Sequence, residues 1–341
     1  MQSYAIAAIA KRVHYNPPLA PPGEPGYTRA MSLSTLALLL LAPALTQART
    51  WTVSANGKGD AKSFYDFAPE QLRPGDVVVV KPGKYDQQLQ AANGVEYRAL
   101  GKVIVEGIAV DNVSGAKIRG FTLDGEGQRD SGMTVNNSQR IEISACRLSG
   151  FFEALSLSGS EGVTIREMRL EDNDHSLMVI NSKNVVIERS LIGRRPRPAE
   201  QDNAGAFGVD ISGSDRVTLD HNTLVRNTGT AIAARNATRL ALTNNIIVGN
   251  GWGVFFQGVK QPRLERNLFN GNTNGDEMPP EDPEQVPALK SGGIQLFEPA
   301  GFADLRKGDW RLRHDANSAK AGTRGSYLGA FPPLPDPKDS R

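Results

Sequence analysis

The chain has 341 residues, 35 of them glycine, with 39 lysines and arginines against 37 aspartates and glutamates, a net charge of +2. The near balance excludes a nucleic-acid binder that works through an overall basic field, and abundant glycine with few aromatics points to a turn-rich β protein rather than a helical bundle. The single cysteine, Cys146, excludes an internal disulfide framework and any site built from several cysteines.

Residues 1–30 are proline-rich and precede a second methionine, Met31; they read as a dubious or disordered extension, with the true start at Met31. Residues 31–48, MSLSTLALLLLAPALTQA, have the apolar run and small-residue cleavage pattern of a secretory signal, with Thr46 and Ala48 at the minus-three and minus-one places. The run is too short to span a bilayer. The expected protein is therefore secreted, periplasmic or on the cell surface, without a transmembrane anchor. Residues 49–100 read as an N-terminal cap and first coils: SFYDFAPEQLRPGDVVVVKPGKYD, residues 63–86, supplies a capping turn or helix and then the strand VVVV between Pro-Gly breakers.

From 101 to 272 the chain repeats itself. The triplets AKI, IEI, VTI, VVI, VTL, LAL and PRL begin at residues 116, 141, 163, 185, 217, 240 and 262. Seven places after each start stands Leu123, Leu148, Leu170, Ile192, Leu224, Ile247 or Phe269. Before most triplets lies another alternating pair, such as Leu155 and Leu157, Leu177 and Val179, Val209 and Ile211, Ala231 and Ala233, or Val254 and Phe256. Each unit of about 22 residues thus holds three short strands that cannot bury their apolar faces alone, whereas stacked coils do. The fold class is all-β, a parallel β-helix. Asn222, Asn245 and Asn267 share one place in successive coils, and Asn173, Asn227, Asn250 and Asn272 share another; both columns read as turn ladders. Cys146 occupies the first column's place in its own coil and reads as a small turn or core filler.

Residues 273–341 form the last segment: an acidic, proline-rich loop over 273–290, expected to lie along the rod, and a capping tail. In the tail GDWRLRHDANSAKAGTRGSYLGAF, Trp310, Leu312, Leu328 and Phe331 are expected to close the far end.

The stretches WTVSANGKGD, LRPGDVVVVKPGKY and GKVIVEG, the repeats, and the tail together resemble secreted right-handed parallel β-helix proteins of the pectate-lyase-like superfamily over residues 51–333. The opening is similar to that of bacterial polysaccharide lyases acting on alginate or pectin. The resemblance implies the right hand and a groove over the strand containing LSL, LMV, VDI, AIA and VFF. Its outward column then reads Thr134, Ser156, Met178, Asp210, Ile232 and Phe255.

A coil ten residues longer than the others carries its insertion within GRRPRPAEQDNAGAF (193–207), which enters that strand, and one coil earlier lies EDNDHS (171–176). Elimination from a uronate needs a cation for the sugar carboxylate, a base for the C5 proton and a donor for the leaving oxygen. Arg195 or Arg197 can hold the carboxylate, His175 can act as base, and Asp174 or Asp210 can orient it or bind Ca²⁺. The expectation is a polysaccharide-active protein, a lyase or C5-epimerase on an acidic polysaccharide, acting as a monomer. The alternative is a non-catalytic extracellular carbohydrate-binding or structural β-helix. Against a lyase, the outward column carries neither lysine nor arginine. The hydrolase motifs Gly-His-Gly and Arg-Ile-Lys are absent, and convergence of His175, Arg195 or Arg197, and Asp210 separates chemistry from binding.

Overall fold

The computed structural model describes residues 48–66, 71–194, 205–279 and 288–337, so the proline-rich extension and all of the leader except Ala48 lie outside the described residues. Strands of three to six residues cannot satisfy their own backbone groups, so each pairs in parallel with its counterpart one coil on. The result is a parallel β-helix. A first face is a ten-stranded sheet running from Thr50–Val53 to Arg263–Glu265. The other two faces belong to one 14-stranded sheet, joined where the long strands Thr122–Asn136 and Arg147–Ser158 turn the corner. The second face continues as Arg169–Glu171, Leu191–Gly193, Thr223–Val225, Ile246–Val248 and Leu268–Asn270. The third continues as His175–Ile180, Phe207–Ser212, Thr230–Arg235, Trp252–Gln257 and Gly275–Glu277.

The register makes the repeat physical. On the first face Ile118, Ile143, Ile165, Ile187, Leu219, Leu242 and Leu264 align. On the second, Leu123, Leu148, Leu170, Ile192, Leu224, Ile247 and Phe269 do the same. All are buried, and with coils about 4.8 Å apart each column is a continuous apolar stack. On the third face one expectation is corrected. Ile232 aligns with Val209 and Val254 and points inward, while Ala233 takes the outward place beside Asp210 and Phe255. The segment TAIAAR is apolar on both parities, so alternation alone does not set its phase.

The first asparagine column is a ladder, and the second is one from Asn227 onward, whereas Asn173 bonds the backbone instead, its Nδ2 donating to Leu148 O and its Oδ1 accepting from Phe151 N–H. Nδ2 of Asn222 donates to Oδ1 of Asn245 at 3.1 Å, and Nδ2 of Asn245 to Oδ1 of Asn267 at 2.9 Å. Asn227, Asn250 and Asn272 repeat the arrangement at 2.9 and 3.0 Å. At the remaining corner serines do the same work: the backbone N–H groups of Ser138, Ser160 and Ser182 each donate to the next serine hydroxyl, ending at Ser214.

The tail does not close the end of the rod. The end of the first two faces is met by residues 288–298: the short helix Ala288–Ser291, then Gly293 N–H donating to Leu264 O and Leu296 bridging Leu268. Within the expected loop, Gly275–Glu277 adds a strand to the third face. Residues from Ala300 onward instead pack on the outside of the second face. There Leu191, Val225, Ile246 and Leu268 form a second apolar cluster with Phe302, Trp310, Leu312 and Leu328. The tail is fastened by Gly329 N–H to Asn244 O, Ala330 N–H to Thr223 Oγ1 and Thr323 N–H to Asn244 Oδ1, each 2.8 Å.

Candidate functional site

The third face positions the candidate side chains. Its outward column reads Thr134, Ser156, Met178, Asp210, Ala233 and Phe255. Two places further along each strand runs a second outward column: Asp111, Asn136, Ser158, Ile180, Ser212, Arg235 and Gln257. Arg235 of this column reaches back over Asp210, with Nη1 3.2 and 3.4 Å from the two carboxylate oxygens. Its guanidinium carbon also stands 5.0 Å from the centroid of the Phe255 ring. The face therefore carries a cation that sequence reasoning missed. The signal was available: in AIAAR, Arg235 lies two residues after the outward Ala233 and shares its side of the strand.

At the entry to the same face a second group forms. Asp174 precedes the strand, and its Oδ1 lies 3.5 Å from Nη2 of Arg194. The Arg194 side chain is 3% exposed, and its Nε and Nη1 have no hydrogen-bond partner among the described residues. The Nδ1 of His175 and the hydroxyl of Ser176 are likewise buried and unpartnered. The His175 ring stacks on Phe207, with centroids 5.2 Å apart and planes 10° apart, and meets Phe152 edge-on at 5.2 Å. Phe152 is 52% exposed, so this aromatic row reaches solvent.

These two groups are separate. His175 aligns with Phe207, three residues before Asp210, which puts about 10 Å of strand between the proposed base and that carboxylate. Asp174 and Asp210 are about 13 Å apart along the strand direction by the same measure, too far to share one Ca²⁺, whose ligands lie within about 2.6 Å. Each is countered by its own arginine. Arg195 and Arg197 lie outside the described residues. His221 belongs elsewhere: it contacts Asp220 at 2.8 Å, Ser326 at 3.3 Å and Tyr327 edge-on, a fastening for the tail. Among the described residues no group of three His, Cys, Asp or Glu side chains is placed to hold a metal, and no helix is long and apolar enough to cross a membrane.

With this geometry in place, the chain can be set beside known proteins. A family model described as periplasmic copper-binding protein (NosD) matches residues 90–281. No curated protein matches the chain. Among solved structures, the periplasmic alginate epimerase AlgG is similar at 11% identity over 65% of this chain and 76% of that one, with a TM-score of 0.42. PfbA, a surface adhesin of Streptococcus pneumoniae, is similar at 11% identity over 68% and 77%, with a TM-score of 0.47. Pectate lyase Pel9A follows at 13% over 85% and 98%, with a TM-score of 0.42. Among the described residues of the matched segment the donor chemistry does not fit copper. Burial pushes the Cys146 thiol up to about 11, which keeps it protonated, and its sulfur is turned to the carbonyl of Ser144. His175 and His221 are each held within separate clusters of their own.

Proposed function

Since the chain belongs to the NosD family, whose description is periplasmic, we propose that it works outside the cytoplasm as a binding β-helix that recognises a carboxylate-bearing glycan on its third face. The observation that carries this reading is Arg194. A guanidinium buried to 3% exposure, with two of its nitrogens unpartnered among the described residues and one loose contact to Asp174, carries a desolvation cost that an anionic ligand would relieve. Arginine is the residue best shaped to take a carboxylate bidentately. Beside it, the buried His175 Nδ1 and Ser176 hydroxyl are also unpartnered among the described residues, and Phe152 offers an exposed ring. Further along, the outward columns supply hydroxyls and amides at Thr134, Asn136, Ser156, Ser158 and Ser212, a lining suited to a hydroxyl-rich polymer.

Recognition is proposed rather than elimination or epimerisation. A general base needs an orienting partner and reach to the proton it removes, yet the His175 Nδ1 has no partner among the described residues and Asp210 is already paired with Arg235. Because Asp174 and Asp210 are apart and each countered by an arginine, Ca²⁺ has no shared seat on these residues. Calorimetric titration with alginate and pectate oligosaccharides tests the reading. Binding should be saturable, unchanged by a chelator, lost with carboxyl-reduced oligosaccharides, and weakened at least tenfold by R194Q. F152A, on an exposed ring, should weaken it without altering the fold. A rise in the ultraviolet absorbance of unsaturated uronate during the titration would replace binding by lyase chemistry, and equal affinity for reduced oligosaccharides would remove Arg194 from the site.

A further inference from the structure

A concave site lies on another face, where the tail crosses the second face. The cleft measures about 610 Å³, within the range of about 300–1,000 Å³ typical of small-molecule sites. Its apolar wall is made by Val225, Val248, Phe302 and Trp310, the last two rings meeting edge to face with centroids 5.3 Å apart. The opening exists because of two glycines. Arg226, Gly249 and Gly271 follow the second-face strands at equivalent turns of successive coils, and the glycines have φ of +66° and +62°. A Cβ at Gly271 would meet nothing within 4 Å, and one at Gly249 would meet only Cγ of Arg226, at 4.0 Å. The room above the Arg226 side chain is therefore left empty by the sequence.

The rim carries two arginines and two carboxylates, Arg226, Arg313, Glu298 and Asp315, unevenly partnered. Asp315 accepts from Nε of Arg313 at 3.2 Å, and Glu298 accepts from Nδ2 of Asn317 at 3.1 Å. Arg226, which also lines the cleft, has a backbone hydrogen bond to Val248 O, but its side chain has neither a hydrogen bond nor an ion pair among the described residues. An apolar wall beside a guanidinium that has no partner of its own is complementary to one kind of small molecule.

We propose that this cleft binds an amphipathic organic anion: an aromatic or branched aliphatic body seated against Trp310 and Phe302, with a carboxylate on Arg226. This is a site separate from the third face and does not depend on what binds there. The charge-assisted contact supplies orientation, and the apolar body supplies most of the affinity.

The probe is 2-naphthoate, titrated into the full chain while tryptophan fluorescence is followed, with neutral 2-naphthamide as the comparison. Saturable one-to-one binding is expected, with the acid at least tenfold tighter than the amide. R226Q should abolish that preference while leaving amide binding and the melting temperature unchanged, because the native guanidinium holds no other group. W310F should remove the fluorescence response, whereas W51F and W252F should keep it. No saturable binding of either probe, an acid preference that survives R226Q, or a response that follows Trp51 or Trp252 would each overturn the proposal.

Discussion

Asn245 shows how much of this rod rests on single side chains. Its Oδ1 accepts from both the backbone and the side-chain amide of Asn222, and its Nδ2 donates to Leu219 O and to Asn267 Oδ1, all between 2.9 and 3.1 Å and all buried. N245A removes these bonds and strands a buried N–H and a buried carbonyl, so it should lower stability by on the order of 2–4 kcal/mol, read as a shift in the urea midpoint. An unchanged midpoint would mean that the ladder is ornamental. Asparagine at these places was legible because the repeat put it there three times in step, and a short amide both fits the turn and bonds its own copy. Cys146 was legible as a small side chain at the same turn of an earlier coil, in a column that continues through Met168 and Ser190 to Asn222. Buried, with its thiol raised to about 11, it should resist a thiol-reactive disulfide reagent in the native protein and react fully in denaturant. Rapid native labelling would contradict that burial.

At the scale of elements, the tail is the part that sequence reasoning placed wrongly, and the reason is physical. The inward column of the second face was plain from its spacing, but the residues beside it also change along the rod. Early strands carry Arg147, Ser149, Arg169 and Glu171, whereas later ones carry Leu191, Val225, Ile246, Val248 and Leu268. A face that becomes apolar on its outer side must be covered, and the tail covers it there. One fastening is titratable. Burial alone would raise the Asp220 carboxyl, but hydrogen bonds from His221, Thr243 and Asn244 outweigh it and hold the group below its ordinary value of 3.8, while His221 reaches Ser326 and Tyr327 of the tail. A lowered folded value stabilises the folded state above the ordinary value, and the contribution is lost as pH falls through the depressed one. In a protein retaining Trp310 as its only tryptophan, fluorescence should report loosening of the tail below about pH 4. D220N should cost on the order of 1 kcal/mol at neutral pH and flatten that acid dependence. A D220N profile identical to the parent's would show that the apolar cluster alone holds the tail.

For the molecule as a whole, the coils were readable because a fixed period of strands leaves few ways to bury them, while the candidate site was readable only in part. His175, Asp174 and Asp210 were found as titratable groups near an insertion, but their separation follows from register, which a one-residue shift at TAIAAR or a neighbouring coil decides. Arg194 is one arginine in the run GRRPRP, and its burial is a tertiary fact with no local signal. The same rigidity bears on copper, named in the description of the family. A first-row metal site needs several donors converging at about 2 Å from the ion. Here Cys146 is buried at a turn, His175 lies between Phe152 and Phe207, His221 is fixed by Asp220 and Ser326, and His314 is exposed on the tail. Gathering them would require pulling apart the stacked strands that hold each in its own coil. Titration of the full chain with Cu(I) and Cu(II) should therefore show no stoichiometric site that depends on Cys146, His175 or His221, with H14A included to separate any contribution from residues before Ala48. A thiolate charge-transfer band that disappears in C146S, or saturable binding abolished by H175A or H221A, would show that the coils can open to collect these donors and that the rod is far less rigid than its ladders imply.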